Sequence, residues 1–180
     1  NAVCTEQSYP YQGTGGTCQA SSCTTGIARG GVTGYKDVAK DDENALMEAV
    51  SIGPVSIAIE ADKSAFQFYK SGVLSQKCGT QLDHGVLAVG YSHDAATGLD
   101  YWIVKNSWDT TWGEKGYIRM SMGTHGASGI CGIAMQPSYP CSGSGCPLPA
   151  PAETTPGRFG GLGFGLGLAL KVVALRQQQV

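Results

Sequence analysis

The chain has 180 residues, about the length of one domain and enough to bury a core without a metal or a disulfide. Apolar residues make up 42% and charged residues only 14%, which excludes a highly charged disordered protein. The formal net charge of −2 argues against the basic stripe that nucleic-acid binding requires, so no nucleic-acid partner is expected.

Residues 1–35 read as loop, with Gly13, Gly16, Gly26, Gly30, Gly31 and Gly34 closely spaced. Asp41 to Gly53 reads as a helix. Asp41 or Asp42 would cap it, Leu46, Met47 and Val50 form its apolar stripe, and Gly53-Pro54 stops it. Val55 to Ile59 alternates and is β-branched, so it reads as a strand. Ser64 to Ser71 reads as a short helical turn carrying Phe66, Phe68 and Tyr69. Gly85 to Tyr91 is a continuous apolar run, expected of a strand buried on both faces. Asp94 to Gly98 is a turn, and Tyr101 to Lys105 and Gly116 to Ser121 are further strands. One early helix followed by a mainly antiparallel β region makes the class α+β.

Composition changes after Cys141, dividing the chain into a body, 1–141, and a Pro/Gly-rich tail, 142–180. The tail is expected to be disordered, or to be translated non-coding sequence. Its apolar run, Phe159 to Leu170, is too short and glycine-rich for a membrane span, and a lipid-anchor signal is the less favoured reading. Asn1 follows no initiator methionine or signal-peptide pattern, as expected of a processed chain or a fragment.

Seven cysteines, Cys4, Cys18, Cys23, Cys78, Cys131, Cys141 and Cys146, point to an oxidising compartment. The odd count leaves at least one without a partner inside the chain. Neither Cys18 with Cys23 nor Cys141 with Cys146 has the second Cys pair or nearby His of a zinc site, so no metal or other cofactor is expected.

Two polar residues border the apolar strands: His84 and Asn106. With the turn centred near Ala95, His84 lies eleven residues before it and Asn106 eleven after. An antiparallel hairpin of that register places them face to face. An Asn carbonyl that accepts from one ring N–H fixes the tautomer and frees the other nitrogen for proton transfer. The same pair would also serve simply to satisfy a buried amide.

The flanking residues bear on that choice. Leu82-Asp83-His84-Gly85-Val86-Leu87-Ala88-Val89-Gly90-Tyr91 resembles the histidine segment of papain-like, cathepsin L-type cysteine proteases. Lys105-Asn106-Ser107-Trp108, followed by Trp112-Gly113-Glu114-Lys115-Gly116-Tyr117, resembles their asparagine segment. Tyr9-Pro10-Tyr11, Gly53-Pro54-Val55, Gly129-Ile130-Cys131-Gly132 and Ser138-Tyr139-Pro140 agree in order and spacing. The resemblance covers residues 1 to about 141 and implies the second, barrel-like β domain of that fold, with most of the helical domain absent.

It also implies roles. His84 would be the general base and acid, Asn106 its orienter, and Trp108 the shield of their hydrogen bond, with Trp112 nearby. The chemistry is acyl transfer, in which a thiolate attacks a peptide carbonyl and the resulting thioester is hydrolysed. Ala58, Leu82 and Gln136 would line the pocket for the side chain two residues before the cleaved bond, with Gln136 at its floor and Asp83 at the rim. A bulky hydrophobic or aromatic group suits them. Cys78 and Cys131 would form a disulfide. One of Cys18 and Cys23 would pair with a cysteine outside the chain and Cys4 would take the other, while Cys141 and Cys146 bridge each other or stay free. Partners would be peptide or protein substrates, the absent N-terminal half, and propeptides or protein inhibitors. Membrane attachment is not expected, and the compartment would be lysosomal, vacuolar or extracellular.

Two departures stand out. The family's nucleophile lies in a Cys-Gly-Ser-Cys-Trp segment, which does not occur here, so the chain alone is expected to be inactive. Without the other domain it would expose apolar surface and dissolve poorly. Asp109 stands where relatives commonly have glycine, for which a local adjustment is expected. The alternative is a non-catalytic homologue that binds peptides or proteins. His93 and His125 read as surface residues.

Overall fold

The computed structural model describes residues 2–143, 145 and 146. Its elements are β1 (Val3–Cys4), β2 (Thr25–Ile27), β3 (Gly34–Asp37), α1 (Glu43–Ile52), β4 (Val55–Ile59), α2 (Ser64–Gln67), β5 (Val73–Leu74), β6 (His84–Asp94), β7 (Leu99–Lys105), β8 (Tyr117–Ser121), a 3-10 turn (Ile130–Gly132) and β9 (Ser138–Cys141). Seven strands form one sheet in the order β3-β9-β4-β6-β7-β8-β5, in which only β5 and β8 run parallel. β1 and β2 form a separate antiparallel pair.

Asp42, not Asp41, caps α1: its Oδ1 accepts from the N–H groups of Asn44 (2.9 Å) and Ala45 (3.0 Å). Asp41 precedes the helix at φ 57°, and its carboxylate accepts from Ser128 Oγ at 2.9 Å. Leu46, Ala49 and Val50 turn inward, and Met47 packs at their edge. The Gly53 N–H closes the last turn on the Ala49 carbonyl. β4 buries Val55, Ile57 and Ile59 on one face and leaves Ser56 and Ala58 half-buried on the other. These residues join Phe66, Val86, Ala88, Trp102, Val104, Ile118, Met120, Ile130 and Ile133 in one core. Full burial of a side chain such as Phe66 is worth about 2–3 kcal/mol.

Several elements differ from expectation. Residues 1–35 hold β1, β2 and the start of β3, strands too short to show alternation. β9 contains Pro140, which hides it from a propensity reading, yet it joins β3 to β4. β6 runs on to Asp94, and only Val86 to Ala88 within it are fully buried. The helical turn ends at Gln67, with Phe68 exposed and Tyr69 buried. Cys141 and Cys146 are disulfide-bonded around a Ser142–Gly145 bridge. The expectation of a disordered tail falls otherwise outside the described residues.

Candidate active site

His84 opens β6 and pairs with Ile59, the last residue of β4. Asn106 follows the end of β7, where its N–H donates to the Gly116 carbonyl at 2.9 Å. The two are not directly opposite. Asp94 faces Leu99 at the turn, and a bulge between Ala88 and Gly90 shifts the register so that Leu87 faces Lys105. Continued past Lys105, that register would bring His84 opposite Trp108 and leave Asn106 as a diagonal neighbour. An offset of two keeps both side chains on one face, because the pleat repeats every two residues. The diagonal is within reach of long side chains.

His84 Nε2 lies 2.8 Å from Asn106 Oδ1. The same oxygen accepts from the Ser107 N–H at 2.7 Å. A carbonyl oxygen only accepts, so Nε2 carries the proton and Nδ1 holds the lone pair of the neutral ring. Nδ1 makes no hydrogen bond among the described residues. Asn106 is 7% exposed, and its buried Nδ2 has no partner among them.

Aromatic rings pack against His84. Trp108 stacks on His84 with centroids 5.0 Å apart and planes at 29°. Phe66, fully buried, meets His84, Trp108 and Trp112 at 6.4, 5.5 and 5.2 Å. Trp112 lies edge-on to Trp108 at 5.4 Å and donates Nε1–H to the Gln67 carbonyl. Excluding water strengthens a hydrogen bond electrostatically. Phe66 has no role in the sequence reading; its apolar context on α2 was the available signal.

The segment after Asn106 turns back tightly. Gly113 has φ 55°, and a Cβ there would sit 2.6 Å from the Tyr117 carbonyl oxygen, so glycine is required. Asp109 has φ 71° and accepts from both the N–H and the hydroxyl of Thr110, the local adjustment expected of a non-glycine residue. These bonds hold its carboxyl below the usual range. Glu114 takes Arg119 in a two-pronged contact, Nε to Oε2 at 2.9 Å and Nη2 to Oε1 at 2.7 Å, and also accepts from the Gly72 N–H. Arg119 holds the Glu114 carboxyl below its ordinary value.

The expected pocket residues fall in two places. Ala58 pairs with Gly85, and a Cβ on Gly85 would meet nothing within 4 Å, so the strand surface beside His84 is open there. Leu82 is half-buried against Gly132, and half-buried Met135 packs on the same glycine. Gln136, expected at the pocket floor, is exposed, next to buried Pro137. Asp83, expected at the rim, is exposed, but its Oδ1 accepts from the Ala61 N–H at 2.7 Å.

Cys78 is bonded to Cys131 and Cys4 to Cys23, leaving Cys18 free and exposed. The three disulfides suit an oxidising compartment. His93 is exposed and pairs with Asp100. His125, expected at the surface, is half-buried, with Nδ1 2.7 Å from the Thr124 hydroxyl. Among the described residues no helix is long and apolar enough to cross a membrane.

Comparisons with known proteins bear on the family of the chain. The chain is 50% identical over 144 residues to cysteine proteinase COT44 of Brassica napus, covering 80% of this chain and 43% of that protein. It is 48% identical to thiol protease SEN102 of Hemerocallis, covering 82% and 40%. The structure of bromelain protease from Ananas comosus in complex with the E64 inhibitor superposes with a TM-score of 0.70 at 45% identity, covering 77% of this chain and 62% of that one. The proform of the ragweed pollen allergen Amb a 11 gives 0.70 at 38% identity, covering 79% and 42%. The chain thus spans about two fifths of the length of these two curated relatives. The family model described as papain family cysteine protease matches residues 1–141, and the chain belongs to that family.

Proposed function

We propose that this chain supplies the histidine–asparagine half of a cysteine endopeptidase site, completed by a cysteine from a segment preceding Asn1. The carrying observation is the 2.8 Å contact between His84 Nε2 and Asn106 Oδ1, which leaves Nδ1 unpartnered beneath Trp108. Every cysteine but exposed Cys18 is in a disulfide, so no thiol of the described residues is in hydrogen-bond contact with His84.

In this reading Nδ1 takes the proton of the incoming thiol, giving a thiolate beside an imidazolium. Asn106 keeps the ring in plane while remaining uncharged, so it does not compete for the imidazolium with the thiolate. The thiolate sulfur attacks the peptide carbonyl carbon. Nδ1–H then protonates the departing amine nitrogen as the C–N bond breaks, leaving a thioester. Nδ1 next takes a proton from water, whose oxygen displaces the sulfur and frees the acid.

Substrates are peptides or proteins with a bulky hydrophobic residue two positions before the cleaved bond, met by Ala58, Leu82 and Gln136. A propeptide and protein inhibitors would cover the same cleft, and the compartment is lysosomal, vacuolar or extracellular. Alone, the chain hydrolyses nothing. The test is to sequence the transcript upstream of the Asn1 codon and assay its full product on a dipeptidyl reporter. An in-frame cysteine segment and hydrolysis blocked by a thiol-directed epoxide are expected. A substituted cysteine with retained peptide binding would instead make the protein a non-catalytic binding module.

A further inference from the structure

Glu60 follows β4 directly and is only 3% exposed, an uncommon place for a carboxylate. Its Oε2 accepts from the Gln81 N–H, and Lys63 Nζ stands 2.9 Å from Oε1. Its own N–H donates to the Cys131 carbonyl at 2.9 Å. The same two segments meet twice more. Asp83 N–H donates to the Ile59 carbonyl at 3.0 Å, and Ala61 N–H donates to Asp83 Oδ1 at 2.7 Å. Residues 59–61 and 81–83 are therefore tied by three hydrogen bonds just beyond the last ladder rung, Ile59 to His84.

Leu82 lies between the Gln81 and Asp83 attachments. Its Cδ2 rests against Gly132, 2.8 Å from where a Cβ would stand. The two attachments hold the Leu82 backbone in place, and Gly132 bounds its side chain on one side. Gly79 makes the arrangement possible: at φ 92°, a Cβ there would come within 2.9 Å of the Glu60 carboxyl carbon. Lys63, and then the Gln81 N–H, hold the Glu60 carboxyl below its ordinary value, so the acceptor stays ionised.

We propose that Glu60 is a positioning residue for substrate selectivity, holding Leu82 as the wall against which the side chain two residues before the cleaved bond packs. Glu60 itself touches no substrate. The proposal rests on the endopeptidase reading and names a residue that reading does not use.

The test uses the full product of the transcript and two dipeptidyl reporters, with Phe or Ala at that second position. The quantity read is the Phe-to-Ala ratio of kcat/KM. Glu60→Ala is expected to lower the ratio about 10-fold, mostly through KM of the Phe reporter. Glu60→Gln keeps a neutral acceptor and lowers it about 2- to 3-fold. Lys63→Met keeps the Gln81 N–H contact but takes the cation from a buried carboxylate, and is expected to lower the ratio about 2- to 3-fold, as Glu60→Gln does. Epoxide titration should count the same number of reactive thiols in every variant. A parallel fall of both reporters, with the ratio unchanged, overturns the proposal. Should Glu60→Ala fail to fold, an unchanged ratio in Glu60→Gln overturns it equally. No titratable thiol in the unsubstituted protein would overturn the endopeptidase reading, and this proposal with it.

Discussion

The β6–β7 hairpin carries a histidine hydrogen-bonded to an oxygen near each end. At one, His84 Nε2 meets Asn106 Oδ1 at 2.8 Å; at the other, His93 Nδ1 meets Asp100 Oδ1 at the same distance. The separation therefore says nothing about which pair does chemistry. The surroundings differ. Asn106 is 7% exposed and His84 lies under Trp108, whereas the side chains of His93 and Asp100 are 48% and 36% exposed. The partners differ too. A carboxylate adds a charge beside the ring and is screened by water at the hairpin tip, while a buried amide orients the ring without adding one.

The sharpest way to break this comparison is to remove each ring in the full-length protein. His84→Ala should lower kcat/KM on a dipeptidyl reporter by about 10³- to 10⁴-fold, and His93→Ala by less than about 2-fold. Comparable losses at both ends would show that burial does not distinguish them. Next in size is the aromatic floor under His84. Phe66→Ala should cost about 3–5 kcal/mol in denaturant unfolding, because a fully buried ring leaves a cavity between Trp108 and Trp112.

A smaller effect depends on pH. The Glu114 carboxyl is held below its ordinary value of 4.5 by Arg119. Its contribution is complete above that ordinary value and is lost as pH falls through the lowered one. Glu114→Gln should reduce stability by about 1 kcal/mol at pH 7 and flatten the acid limb of the unfolding profile; an unchanged acid limb would remove Glu114 from the account. The smallest effect concerns Asp109. Asp109→Gly relieves the left-handed backbone but loses the Thr110 contacts, so stability should change by less than about 1 kcal/mol, with kcat/KM unaltered.

Much of the fold is legible because local rules and tertiary structure coincide. Asp42 and Gly53 bound α1 as capping chemistry requires, and Val55 to Ile59 alternates as a half-buried strand should. The meeting of His84 and Asn106 is legible for a subtler reason. The turn is centred later than Ala95 and a bulge intervenes, so the register expected from the sequence is wrong by two residues. Only an odd error would have moved one side chain to the other face. Other features left no local trace. Pro140 sits in a strand that pairs two others, Glu60 looks like any acid at a strand end, and Phe66 looks like ordinary core. Each depends on contacts between residues far apart in sequence.

The central claim is that His84 Nδ1 faces a thiol and turns it into a thiolate. The direct measurement is the pH dependence of thiol alkylation in the full-length protein. A histidine-paired thiol should react as a thiolate with an apparent midpoint of about pH 3–4, and His84→Ala should move that midpoint up towards about 8.5. A midpoint near 8.5 in the unsubstituted protein, unmoved by His84→Ala, would contradict the account.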